Sequence, residues 1–203
     1  MARRIRDPML RQRIVDAAFT LIARGGLPTA TMRGIAAAAG VSTGSVTHYF
    51  QDKAEIVAAV LSGANRRMAT LVGAAIAGRR GLDALTNAAL AMLPIDRERL
   101  DTWRMWMAFW PGEFGATGSG FDNRYRQWRA MAVTQLTEAV EDGDLPADLD
   151  IRAEADRLTT LLAGIGFLAG TDLTTDDRFV ERARGMLGGH LADLGARRSA
   201  TPR

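Results

Sequence analysis

A chain of 203 residues, 47% hydrophobic and 24% charged, is long enough for one large or two small domains and has an ordinary globular balance. It has no cysteine, which excludes disulfides, thiolate metal sites and cysteine nucleophiles, and no run of eighteen uncharged apolar residues, which argues against a membrane span. The net charge of +3 hides an uneven distribution: residues 1–53 carry eight basic side chains against three acidic ones, a net of +5, so the remainder sums to −2. A basic first quarter on a faintly acidic body suits a polyanionic partner. The start "MARRIRDPML" is basic without an apolar stretch behind it, so a cytoplasmic protein is expected.

Helical periodicity runs through the whole chain and predicts an all-α fold of about nine helices. Asp7 as N-cap and Pro8 at the first helical position open a helix over 8–25, whose Leu10, Ile14, Ala17, Ala18 and Leu21 share a face before Gly25 and Gly26. A short helix over 32–39 stops at Gly40, and Ser42 caps another over 43–49. Asp52 caps a long fourth helix that keeps its apolar spacing until Gly78 and Gly81. Further helices are predicted near 82–93, 96–110, 122–142, 151–170 and 176–195, separated by "LPID", "PGEFGATGSG", "GDLPADLD" and "TDLTT".

The two short helices, with "AGV" between them, have the arithmetic of a helix-turn-helix. Val41 and Val46 anchor the second one inward. Its outward face then carries Thr43, Gly44, Thr47 and Ser45, short enough to bring the backbone near base edges in a major groove. Arg33, Tyr49 and Lys53 are placed to hold phosphates.

The stretch "TATMRGIAAAAGVSTGSVTHYFQDKAEIVAAV" resembles the DNA-binding domain of TetR-type transcriptional regulators, over residues 8 to about 60. By that resemblance residues 1–53 form a helix-turn-helix DNA-binding domain and residues 54–203 a helical ligand-binding and dimerisation domain. The expected DNA contacts are Thr31, Arg33, Ser42, Thr43, Gly44, Ser45, Thr47, His48, Tyr49 and Lys53. The expected function is a homodimeric repressor of a palindromic double-stranded operator, released by a small-molecule effector.

"LPIDRERLDTWRMWMAFW" and "EADRLTTLLAGIGFLAG" resemble the BetI-type branch of that family, which implies an effector cavity within helices four to seven and a dimer built by the last two helices. Two stripes agree with such a dimer: Leu158, Leu161, Leu162, Ile165 and Leu168 on one helix, and Leu187, Leu191 and Leu194 on the next. The same stripes would serve a core within one chain. Trp103, Trp106, Phe109, Trp110, Tyr125 and Trp128, with Glu113 or Asp101 as carboxylate, could cage a quaternary ammonium or a polyamine. The competing reading has the tryptophans filling the core with their indole N–H groups satisfied.

The alternatives are a helical enzyme or a protein-interaction module. Lys53, the sole lysine, lies in no phosphate-binding loop, and His48 and His190 are too distant in sequence for a paired zinc motif. No catalytic residue, metal or cofactor is expected. An interaction module leaves the polar face of residues 43–49 unexplained.

Overall fold

The structure, a computed structural model, describes residues 7–109, 121–171 and 177–196. Among these residues there are nine α-helices and no strand: α1 Pro8–Gly25, α2 Met32–Ala39, α3 Thr43–Tyr49, α4 Lys53–Ile76, α5 Gly81–Met92, α6 Arg97–Met107, α7 Phe121–Glu141, α8 Ile151–Thr171 and α9 Asp177–Ala196. A single 3-10 turn, Leu27–Thr29, begins next to Pro28 and was not evident from periodicity.

Local chemistry sets the helix ends. Asp7 accepts from the Met9 amide at 2.9 Å, Thr31 from Gly34 at 3.0 Å, Ser42 from Ser45 at 3.0 Å, Asp52 from Glu55 at 2.9 Å and Asp96 from Arg99 at 2.9 Å, each quenching an amide that the helix leaves unpaired. Gly40 ends α2 at φ 67°, in the left-handed region that glycine enters without a Cβ clash. Glu55 also reaches back to the Gln51 amide at 2.7 Å, so the entrance to α4 is tied from both sides.

α1 packs on α2, α4 and α6, while α2 packs on α3. Ile14, Val15, Ala18 and Ile22 of α1 are buried, as are Ile35, Ala36 and Ala39 of α2, Val46 of α3 and Ile56, Val57 and Val60 of α4. In the body α5 lies between α4 and α7, α8 packs on α6 and α7, and α9 on α5 and α8. α4 and α7 therefore face each other across a gap that α5 closes on one side.

The leucine stripes face inward. Leu158, Leu162 and Ile165 of α8 and Leu187, Leu191 and Leu194 of α9 are all buried within one chain. In a single chain this side of the two helices is already covered. α8 and α9 each turn this face to the body, and covering it there contributes about 1.5–3 kcal/mol per side chain. Of the expected interface set, only half-buried Leu161 and exposed Leu168 retain surface.

Candidate nucleic-acid interface and ligand cleft

α3 presents Thr43, Gly44, Thr47 and His48 to solvent, with Ser45 half-buried. Its polar groups are pre-arranged: the Ser42 and Ser45 hydroxyls lie 2.9 Å apart, and Thr47 donates to the Gly44 carbonyl at 3.1 Å. A Cβ on Gly44 would meet only the Ser42 hydroxyl, at 3.7 Å, so that turn of helix offers its backbone to close approach from outside. Asp7, Leu10, Ser42, Gly44, Ser45, His48 and Tyr49 line a shallow concavity of about 460 Å³ between the start of α1 and this face. Asp7 and Leu10 were not on the expected list, because nothing in their own helix signals that they border α3.

The phosphate-contact candidates are more constrained than expected. Tyr49 is only 8% exposed, and its phenol oxygen accepts from the Asp7 amide at 2.8 Å, pinning the start of α1 to the end of α3. That leaves the hydroxyl hydrogen as its one group for a phosphate. Lys53 donates to the Leu27 carbonyl at 2.8 Å, so its ammonium is held against the 3-10 turn rather than extended. Thr31 spends its oxygen on capping α2, and Arg33 stands exposed on the first turn of α2. Arg11 lies over the Phe50 ring, 4.8 Å from its centroid, adding a positive charge near the same end.

The tryptophans form a packed cluster. Trp103, Trp106 and Trp128 lie with ring centroids 5.3–5.5 Å apart, and the first two are completely buried. The Trp103 indole donates to the Met92 carbonyl at 2.8 Å, satisfying a group at the C-terminal end of α5. The Trp106 indole donates to Asn65 Oδ1 at 3.2 Å. Both rings are buried and both indole N–H groups have acceptors within the protein. Gly166 makes this packing possible: a Cβ there would fall 2.1 Å from Trp103 Cε3. Phe109 is buried and Tyr125 half-buried, while Trp110 and Glu113 lie outside the described residues. Asp101 is engaged by Arg97 at 2.9 Å and faces Arg104 at 3.8 Å.

Trp128 does border open space. With Asn65, Met68, Ala69, Val72, Gly73, Ile76, Gln127 and Met131 it lines a cleft of about 260 Å³ between α4 and α7, near the lower end of small-molecule sites. Met68, Val72 and Ile76 recur at helical spacing along α4, a pattern visible in sequence but not distinguishable there from a core stripe. Across α7 from the cleft, Arg129 makes a two-pronged pair with Asp156 of α8, whose second contact is 3.1 Å. The Arg129 hydrogen bonds hold the Asp156 carboxyl below its ordinary range.

The outer face of α8 and α9 is also apolar. Phe167, Leu168 and Met186 are 49%, 52% and 40% exposed, and a Cβ on Gly164, Gly185 or Gly189 would meet no atom within 4 Å.

Family models match two parts of the chain: "Bacterial regulatory proteins, tetR family" over residues 14–60, and "BetI-type transcriptional repressor, C-terminal" over residues 81–196. The transcriptional regulator BetI of Serratia proteamaculans is 31% identical over 113 residues, covering 51% of this chain and 54% of that protein, so the chain spans about half the length of this curated relative. A TetR-family regulator from Rhodococcus sp. shares the fold with a TM-score of 0.77 at 22% identity, over 92% of this chain and 99% of the other. A regulator from Saccharomonospora viridis, solved in complex with choline, matches with a TM-score of 0.76 at 21% identity, over 90% and 97% of the two chains. With the C-terminal match alone covering more than half of its length, the chain belongs to the TetR family of bacterial regulatory proteins, with a BetI-type C-terminal part.

Proposed function

We propose that this protein is a homodimeric transcriptional repressor that binds a palindromic operator through α3 and leaves it when a small molecule occupies the cleft between α4 and α7. The observation that carries the reading is the exposed row Thr43, Gly44, Thr47 and His48 on a short helix fixed at both ends by the Ser42 cap and the Tyr49–Asp7 bond. Rigid, short, polar side chains on a convex helix suit base edges in a major groove. The positive balance of residues 1–53 supplies the attraction to phosphate. Residues 1–53 act as the DNA-binding part and 54–203 as the effector and dimerisation part, in the cytoplasm. Among the described residues no helix is long and apolar enough to cross a membrane.

The dimer is expected to form on the outer face of α8 and α9, around the exposed Phe167, Leu168 and Met186, where Gly164, Gly185 and Gly189 would allow two backbones to approach. Two copies related by a two-fold axis would set two α3 helices against successive major grooves. Phe167→Glu is expected to halve the mass measured by sedimentation at micromolar concentration. An unchanged mass would move the interface elsewhere.

The deciding experiment is salt-controlled binding to the DNA upstream of the protein's own gene. A protected palindrome, with Thr47→Ala weakening binding about fivefold or more, supports the reading. Weak binding indifferent to sequence at physiological salt would contradict it for that DNA, and no binding at low salt would remove it. Choline, the molecule bound to the Saccharomonospora viridis neighbour, is one effector to try, although the described cleft offers it a single tryptophan.

A further inference from the structure

Resting on the reading of the cleft as an effector site, we propose that its ligand is uncharged and elongated, an apolar chain ending in a head that both donates and accepts hydrogen bonds, as a carboxamide does, with that head on Gln127. The cleft differs along its length. Asn65 marks one end, 3.2 Å from the Trp106 indole nitrogen. The Trp106 ring lies 5.3 Å from that of Trp128, and Gln127 precedes Trp128 on α7, so the two amides of the wall belong to the same end. From there α4 contributes only Met68, Ala69, Val72, Gly73 and Ile76. Gly73 stands eight positions beyond Asn65, which is about 12 Å along a helix axis. A ligand with one polar end is therefore oriented, its head at Gln127 and its tail toward Gly73.

Charge selects the head. None of the described residues lining the cleft is ionisable, and one of them, Trp128, is aromatic. A carboxylate or a quaternary ammonium held there would give up water without gaining an opposite charge, and a single ring is no cage for a cation. Arg129 and Asp156, across α7 from the cleft, are paired with each other. An uncharged polar head avoids the cost of a buried ion but still needs a partner. Gln127 is exposed, and its carboxamide offers N–H donors and a carbonyl acceptor, so an amide head can make one bond in each direction. Asn65 keeps its bond to Trp106 in this arrangement and gives up no partner; it makes the head end of the wall polar.

Two sets of probes separate head from tail, each titrated calorimetrically into the full-length protein without DNA. Octanamide, octanoate and octyltrimethylammonium share a tail and differ in charge, whereas butanamide keeps the amide and lacks four methylenes. Octanamide is expected to bind at least about tenfold tighter than either charged probe. It is also expected to bind at least about tenfold tighter than butanamide, since each fully buried methylene is worth roughly fourfold. Gln127→Leu is expected to weaken octanamide about fivefold. A side chain at Gly73 meets no atom within 4 Å and enters the tail end of the cleft. Gly73→Leu, checked for folding by circular dichroism, is expected to abolish the advantage of octanamide over butanamide while leaving butanamide within about twofold of its wild-type affinity.

Either charged probe binding as tightly as octanamide would overturn the ligand class, as would failure of octanamide to bind at millimolar concentration. Unchanged octanamide binding to a folded Gln127→Leu protein would overturn the seat of the head. A folded Gly73→Leu protein that keeps the full preference for octanamide would overturn the direction of the tail. Operator binding, measured separately, distinguishes the two readings. Octanamide bound as expected by a protein that recognises no specific DNA leaves the ligand class standing and removes the repressor, whereas specific DNA binding without octanamide binding removes the ligand class alone.

Discussion

The corner formed by α2 and α3 and the tryptophan cluster joining α6, α7 and α8 are held together in opposite ways. In the corner, polar side chains bond to backbone a few residues away: Thr31 to Gly34, Ser42 to Ser45 and Thr47 to Gly44. Each such bond contributes little, and the surface beyond it stays open. In the cluster the partners are far apart in the chain, and Trp103 rests against Gly166 and the Met92 carbonyl with no spare volume. Close packing of that kind tolerates very little, because neighbouring side chains have no space into which to move. A surface built to meet another molecule is fixed by many small local bonds, whereas the scaffold behind it depends on a few irreplaceable contacts.

Substitutions in the two regions should therefore differ in scale. The largest effect is expected from Leu187→Ala, which empties part of the fully buried side of α9 and should lower stability by about 2–5 kcal/mol in chemical denaturation. Gly166→Ala should cost about 3 kcal/mol by forcing the Trp103 ring away from α8; a melting temperature like that of the wild type would show that the ring can slide. Ser42→Ala in the corner removes one cap and should cost about 1 kcal/mol. Tyr49→Phe should cost about as much through the lost Asp7 bond, and a loss as large as that at Gly166 would erase the contrast.

The smallest effect belongs to the half-buried Arg129–Asp156 pair. Its carboxyl is held below the unfolded-chain value by the Arg129 hydrogen bonds, so its contribution is present above about pH 4 and is lost as pH falls through the lower folded value. Asp156→Asn should melt slightly below the wild type at neutral pH and converge with it in acid. A gap that persists at the lowest pH would assign the difference to packing.

The same contrast determines what could be read from sequence. Helix ends were legible wherever one residue does the work: Asp7, Gly40, Ser42 and Asp52 each act on neighbours within four positions. The outward face of α3 followed from the inward anchor Val46. The direction of the leucine stripes did not follow, because a period of 3.6 marks a face as apolar without saying whether it meets its own chain or a second copy. Leu187 turned inward, and Phe167 and Met186, which carried no stripe, lie outside. The aromatic grouping near the cleft was visible, but only Trp128 of the three packed rings borders the space, since the side that faces out depends on α4 and on Gly166, which lies 63 positions beyond Trp103. Asn65 had no signal of its own, being a single amide between Ala64 and two arginines on a long helix.

The tryptophan cluster also gives the molecule an optical property. Rings 5.3–5.5 Å apart exchange excitation energy far faster than they emit, so the three indoles behave as a coupled set. Two members are sealed in the core and the third forms part of the cleft wall, so light absorbed by any of them can be quenched from that wall. Occupancy of the cleft can then be followed by the protein's own ultraviolet emission, with no label attached to the surface that meets DNA.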